Sequence, residues 1–378
     1  MHCHITTYKE KPAFLFLDED ERVVELPTNF MRSMVLSPKK YAPGTLNRYA
    51  EKVRDLCCFL GDHEVYGQVR LDDAIANLKR PVLSEFFRSL QATGYQATTV
   101  RLAEAGVRKF ADWLNTDEAE YVHKRPLYPE HASGLTPPPT RRQPRYLTHV
   151  QVIELTQALR FEAQRLVVHF IFDTGLRISE VKRVLKKHLP DWRHYPEGQM
   201  YFPLLVRGSK GRGGQLKDRY TIISRALLSR LAKHHNTKRY LFNFDFEEED
   251  KPALLNVFGE KWTEDAIEKL IEKARTKANI PGASAHRLRH GTAFSILRSE
   301  HGKSLMDNLV VLQRVLGHSD IRTTEIYTHI PAPVLQRLKT NYGSPNFQSR
   351  FEESQAIFDE TYLPEKKEPP IRRIGSSL

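Results

Sequence analysis

The sequence is poor in cysteine: Cys3, Cys57 and Cys58 are the only three in 378 residues. Three thiols, two of them adjacent, cannot build a disulfide framework. Cys57 and Cys58 lie in an apolar helical pattern and read as core thiols of a reducing compartment. Long apolar runs are missing too: no stretch of about 18 apolar residues exists, so no membrane span is expected. The polar start from Met1 to Glu10 carries both charge signs and does not have the form of a secretory signal. No internal repeats are seen. A composition of 40% hydrophobic and 28% charged residues excludes a disordered or collagen-like chain. The expectation is a folded protein of two or three domains, cytoplasmic or associated with the nucleoid. Acidic residues are in deficit, 46 Asp and Glu against 58 Lys and Arg, for a formal net charge of +12. That surplus favours a polyanionic partner such as nucleic acid or an acidic membrane, although a merely solvated basic surface would look the same.

Residues 1–42 read as an irregular N-terminal extension punctuated by Pro12, Pro27 and Pro38, with a short strand around Phe14, Phe16 and Leu17. Helical periodicity then takes over. Leu46, Tyr49, Val53, Leu56 and Leu60 recur at three- and four-residue steps, and Gly61 fits the stop. A second helix is predicted from Val82 to Leu90. A third, starting at Thr98 or Thr99 as N-cap, carries Val100, Val107, Phe110 and Trp113 on one face and Arg101, Arg108 and Lys109 away from it. Residues 43–135 thus read as a small helical domain with basic exposed positions.

The segment from Thr136 to Arg145 is TPPPTRRQPR. Consecutive prolines lack amide donors and favour an extended chain. Residues 136–147 therefore read as a basic, semi-rigid linker. A long loop within one domain is the alternative, but the change of pattern across the segment favours a boundary. Thr148 and Gln151 then have the spacing of a capping box, opening a helical stretch to about Leu189 that breaks near Thr174 and Gly175. Met200–Val206 and Arg219–Ile223 favour β structure and flank a turn rich in glycine and lysine, which predicts a hairpin with a basic tip. Helices resume at Arg225 and Thr263 and dominate to Leu338. Residues 148–340 read as a second domain, followed by a polar tail over 341–378. The tail contains one amphipathic stretch, Phe351–Phe358, and a basic, proline-containing run from Lys366 to Arg373. The fold class is mainly α with a small β-hairpin (α+β).

Four segments carry candidate chemistry. In Gly175-Leu-Arg-Ile-Ser-Glu180, Arg177 stands near a helix start. A buried guanidinium there would need an anion, although alone it reads as a surface arginine paired with Glu180. In His286-Arg-Leu-Arg289-His290, helical spacing puts His286, Arg289 and His290 on one face and Leu288 towards the core. Two histidines at that spacing can hold zinc. However, the glutamate of an HExxH motif is absent and two arginines lie between them, so a cationic, proton-exchanging cluster facing an oxyanion fits better. Leu316-Gly-His318 is followed, nine residues after the histidine, by Tyr327. Singly, these read as a structural histidine and a half-buried core tyrosine. Lys210 stands at the hairpin tip, with Arg212 and Lys217 as competing candidates.

Taken in order, Arg177, the hairpin lysine, His286-x-x-Arg289, Leu-Gly-His318 and Tyr327 resemble the tyrosine recombinase (phage integrase) family over residues 146–330. The TGLRISE, HRLRHGTAF and LGHSDIRTTEIYTH segments carry the match, and a helical N-terminal domain, linker and tail are also that family's layout. The connection from Ser299 to Asn308 is longer than usual for it. The resemblance implies a helical core-DNA-binding domain, a catalytic domain, and strand cleavage through a 3′-phosphotyrosyl bond. Arg177, Arg289 and His318 would hold the phosphate, Tyr327 would attack it, His286 would act as base and Lys210 as acid. Glu180 and His290 would be supporting residues. The resemblance further implies double-stranded DNA as partner, a homotetramer on two sites, room for accessory proteins, no metal, ATP or other cofactor, and a tail able to pack on a neighbouring copy. For DNA contact the candidates are Arg101, Arg108, Lys109 and the linker residues Arg141, Arg142 and Arg145, which would meet phosphates rather than bases. Integration, excision or resolution of a mobile element is the expected role. The rivals are a type IB topoisomerase, a DNA-binding accessory protein with a dead site, and a metal-dependent nuclease.

Overall fold

The structure is a computed structural model and describes residues 1–8, 11–38, 41–129, 133–138, 145–210, 216–298, 312–313, 315–316 and 350–364. His318, Tyr327, Arg141, Arg142 and Arg212 fall outside the described residues. The chain divides into two compact units, Met1–Arg141 and Arg142–Leu378, each with its own hydrophobic core. Among the described residues the elements are mainly helices, with two small antiparallel hairpins.

Residues 1–42 are not irregular. Strands β1 (His2–Tyr8) and β2 (Lys11–Leu17) form an antiparallel hairpin with His2 opposite Leu17, and helix α1 (Glu25–Leu36) follows. Pro27 does not prevent α1, because it stands in the first turn, where a backbone N–H has no intrahelical partner. The residue before the helix, Val24, supplies no side-chain cap. The cap comes instead from Asp72, which accepts the amides of Glu25 at 2.9 Å and Leu26 at 2.8 Å. Asp72 lies on α3 (Leu71–Ala76), far along the chain.

Helices α2 (Pro43–Gly61), α4 (Arg80–Ala92) and α5 (Ala97–Trp113) complete this unit. Phe30 of α1 packs against Phe110 and Trp113 of α5 at ring separations of 5.1 and 5.8 Å, so the extension and the helices share one core. The N-cap of α5 is Gln96 rather than Thr98 or Thr99, and it makes no side-chain cap bond. Buried Glu104 of α5 accepts the amide of Thr136 at 3.1 Å, which fastens the residues before the prolines onto the helix.

The second unit opens with α6 (His149–Gln157), where Thr148 and Gln151 form the capping box. The helical stretch is broken at two places that the sequence does not suggest, before α7 (Glu162–Thr174) and after Val181, where only a 3-10 turn at Lys186–His188 follows. Arg165 holds the first break, donating to the carbonyls of Leu159 at 2.9 Å and Gln157 at 3.1 Å at the end of α6. Nearly every residue of α7 is buried, and Gly175 ends it with a left-handed φ of +64°. Short α8 (Ile178–Val181) comes next. The β3 (Tyr201–Lys210) and β4 (Leu216–Ser224) hairpin pairs antiparallel, with an irregularity between Val206 and Ser209.

Helices α9 (Arg225–His235), α10 (Lys238–Leu241), α11 (Glu264–Lys277) and α12 (Ala285–Arg298) follow. Helix α13 (Arg350–Thr361) packs on α6, α7 and α9 of its own unit. Its attachment is largely polar. Ser354 donates to Asp173 at 2.7 Å and is also bonded to His169 at 2.9 Å and Ser224 at 2.8 Å. Arg230, fully buried against Glu162, donates to Thr361 at 2.8 Å. Phe358 is buried at this contact, whereas Phe351 is only half-buried.

The α1 cap yields a stability prediction. Asp72→Ala should lower the unfolding free energy by about 1 kcal/mol, seen as a lower urea midpoint with an unchanged slope; an unchanged midpoint would mean the cap contributes nothing.

Candidate active site

Arg177, His286 and Arg289 line one cleft of about 500 Å³, together with Glu268, Glu272 and Arg275. Two helix starts bring them there. Gly175 turns the chain sharply out of α7, and a Cβ at this position would stand 3.0 Å from Thr292 Cγ2 on α12, so the turn needs both the positive φ and the missing side chain. Arg177 then sits at the N-cap of α8, and Glu180 folds back to accept its amide at 2.9 Å and its Nη1 at 3.1 Å. On α12, Leu288 is fully buried and His286, Arg289 and His290 share a face, as their spacing predicts.

Arg289 is almost wholly buried. Its Nη1 donates to the carbonyl of Gly175 at 2.5 Å and its Nη2 to that of Leu316 at 2.6 Å, while Glu180 lies 3.9 Å away. These contacts set the plane of the guanidinium. They also tie α12 to the Arg177 turn and to the segment that reaches His318 two residues later. The ring nitrogens Nε2 of His286 and His290 are 2.9 Å apart, so one ring donates its N–H and the other accepts. Burial, with the positive charges of Arg289 and Arg177, holds the His286 imidazole below its ordinary 6.5. That is the direction a group needs if it is to be neutral, and therefore a proton acceptor, at pH 7.

Burial alone would push the Glu180 carboxyl up. The hydrogen bond and charge of Arg219, with the amide and charge of Arg177, outweigh this and bring it down to about 2. Arg219 is the residue that sequence reading missed. It comes from β4, is buried, and bonds Glu180 at 2.8 Å. The signal was available in the alternation of β4, where Arg219, Thr221 and Ile223 take the inward positions.

Lys210 ends β3 opposite Leu216, and only its backbone is described. Among the residues expected to meet DNA, Arg101 is exposed, and its Nη1 donates to the Thr136 carbonyl at 2.9 Å and to Glu104 at 3.3 Å. The Arg108 guanidinium lies over the Tyr128 ring at 5.0 Å, and Lys109 and Arg145 are exposed.

Buried Arg289 faces one cleft with Arg177 and His286 in the mainly helical second unit, and comparison with known proteins gives the class: enzymes that cut and rejoin DNA strands. Residues 145–332 match the phage integrase family. The chain is 25% identical to the tyrosine recombinase XerA of Saccharolobus solfataricus over 300 residues, covering 79% of this chain and 86% of the relative. It is 25% identical to the tyrosine recombinase XerD of Agrobacterium fabrum over 341 residues, covering 81% and 90%. In fold it is similar to the XerH recombinase in a pre-cleavage complex with its difH substrate, with a TM-score of 0.54, 19% identity and 80% of each chain covered. It is also similar to the Tn1549 transposon integrase in complex with circular intermediate DNA, with a TM-score of 0.58, 14% identity, and 82% of this chain and 98% of that one covered. The chain belongs to the tyrosine recombinase (phage integrase) family, enzymes that cleave and rejoin DNA. No described helix is long and apolar enough to cross a membrane.

Because Glu180 titrates at about 2 in the folded chain, below the ordinary 4.5, its stabilising effect is complete above pH 4.5 and lost as pH falls towards 2. Glu180→Gln leaves buried guanidinium without its anion, a loss of about 3–5 kcal/mol. Denaturation midpoints of wild type and variant should therefore differ by a constant amount near neutrality and converge in acid. A gap that widened in acid would contradict the assignment.

Proposed function

We propose that this chain is a site-specific recombinase that cuts and rejoins duplex DNA through a 3′-phosphotyrosyl bond to Tyr327. The observation that carries the reading is the convergence of Arg177, His286 and Arg289 on one cleft, with Arg289 bonded to the Leu316 carbonyl just before His318. A phosphodiester repels nucleophiles, and its charge grows towards the transition state. Arg177 and Arg289 can offset that charge with paired N–H donors, and His318 adds another; such preorganised donors commonly supply the largest share of catalysis.

The phenolate oxygen of Tyr327 forms the new bond to phosphorus, and the bond from phosphorus to the 5′ oxygen breaks. His286, kept neutral beforehand by its lowered pKa, takes the phenol proton and becomes imidazolium. His290 keeps the ring oriented through the 2.9 Å contact. Lys210 gives a proton to the departing 5′ oxygen. The ester bond is conserved in the adduct, so a second DNA end can reverse the step without ATP, and the guanidinium charge serves where a metal otherwise would.

Four copies on two sites exchange strands in pairs in this reading, and Arg101, Arg108, Lys109, Arg141, Arg142 and Arg145 neutralise backbone phosphates. We infer integration and excision of a mobile element as the role, supported by the hairpin and α1 added before the helical unit and by the tail. Multimer resolution is the rival role.

Wild type and Tyr327→Phe expressed in cells carrying the gene's native flanking DNA provide the test. Denaturant-resistant protein–DNA adducts should appear with wild type alone, their 3′ ends mapping to one short sequence. Adducts with both proteins would remove Tyr327 as nucleophile, and plasmid relaxation without any fixed site would favour a topoisomerase. A second expectation concerns pH. The rate of adduct formation should rise with pH and level off below pH 6.5, the ordinary histidine value, and His286→Gln should abolish that rise. Persistence of the same acid limb in the variant would assign it to another group.

A further inference from the structure

Arg219 joins the segments that carry the candidate groups. Its side chain is only 6% exposed, although the next residue on β4, Tyr220, is 64% exposed. An arginine on the inner face of a strand is costly unless it meets an anion. Here the anion is Glu180, gripped from two nitrogens: Nη2 donates to Oε2 at 2.8 Å and Nε to Oε1 at 3.3 Å. The third nitrogen, Nη1, donates to the Val315 carbonyl.

Each of these partners leads to the reaction site. Glu180 holds both the amide and the guanidinium of Arg177. Val315 precedes Leu316, whose carbonyl is held by Arg289, and the chain reaches His318 two residues further on. Strand β4 itself returns from the lysine-bearing tip, with Val206 opposite Arg219 and Lys210 opposite Leu216. One planar fork thus spans the Arg177 turn, the approach to His318 and the hairpin.

We propose that Arg219 is a positioning residue for strand cleavage, setting through Glu180 and the Val315 carbonyl the placement of Arg177 relative to Leu316, whose carbonyl Arg289 holds, so that Arg177 and Arg289 meet one phosphate. This rests on the reading of Arg177 and Arg289 as phosphate-binding groups. Arg219 does not touch DNA. Lysine cannot replace it, because an ammonium brings its donors to a single atom and cannot bridge the carboxylate and the carbonyl in one plane.

The test uses the full chain and a nicked duplex built from the sequence to which wild-type adducts map. Adduct formation rate, DNA affinity and thermal midpoint are measured for wild type, Arg219→Lys, Glu180→Gln and the double variant Arg219→Gln/Glu180→Gln. A misplacement of this kind costs about 100-fold in rate, so Arg219→Lys should cleave about 100-fold more slowly while binding DNA within about threefold of wild type. The double variant should cleave no more than about threefold more slowly than Glu180→Gln, since the two residues act as one unit. Cleavage by Arg219→Lys at the wild-type rate, or a rate loss matched by an equal loss of affinity, overturns the proposal. If Arg219→Lys does not fold, the comparison of the double variant with Glu180→Gln decides, and a further loss of well over threefold overturns the proposal. A wild type that forms no adduct removes the functional reading and this proposal with it, an outcome distinct from a variant that cleaves normally.

Discussion

A carboxylate inside a protein is tolerated only where cations and donors surround it, and Glu180 is so surrounded. Its two oxygens meet the guanidinium of Arg219, the guanidinium and amide of Arg177, and, at longer range, Arg289. Neither side of this cluster could be buried without the other. The rest of the second unit is arranged to bring its members together: the left-handed Gly175 delivers Arg177, the alternation of β4 delivers Arg219, and the buried face of α12 delivers Arg289. Burial, and then the charges of Arg289 and Arg177, act on His286 beside them, favouring a neutral ring. A proton acceptor surrounded by positive charge is a consistent combination for chemistry at phosphorus, because the cations that stabilise the developing oxyanion also keep the base unprotonated.

The family and its main motifs were legible because their signals are local. The shared face of His286, Arg289 and His290 follows from helical spacing alone, as does the Thr148–Gln151 box. The β3–β4 hairpin was marked by two β-favouring runs around a glycine-rich turn. What escaped depends on partners distant in sequence. Helix α1 looked irregular because its cap, Asp72, lies on another helix. The break before α7 was hidden because no proline or glycine marks it, and a later arginine, Arg165, caps it instead. Arg219 reads in the sequence only as the first residue of a β-favouring run, since its partner Glu180 is distant along the chain. Its place on the inner face of β4 is what marks it as buried.

The relatives and the site bear on different questions. Sequence similarity across residues 145–332 fixes the family and the class of reaction. The arrangement around Glu180 concerns how this chain holds its own groups, and it involves a residue that the motif order does not include. Similarity of fold at 14–19% identity says nothing of which DNA is chosen.

The way α13 is fastened has a mechanical consequence. An apolar helix on an apolar groove can slide by a turn and lose little. Here the fixing points are Ser354 against Asp173, His169 and Ser224, and Thr361 against Arg230, all buried and all directional. A slip of one turn would break them together, stranding several interior polar groups at about 1–3 kcal/mol each. The helix therefore behaves like a bolt in a notched plate: it has one seated position, and intermediate settings are strongly disfavoured.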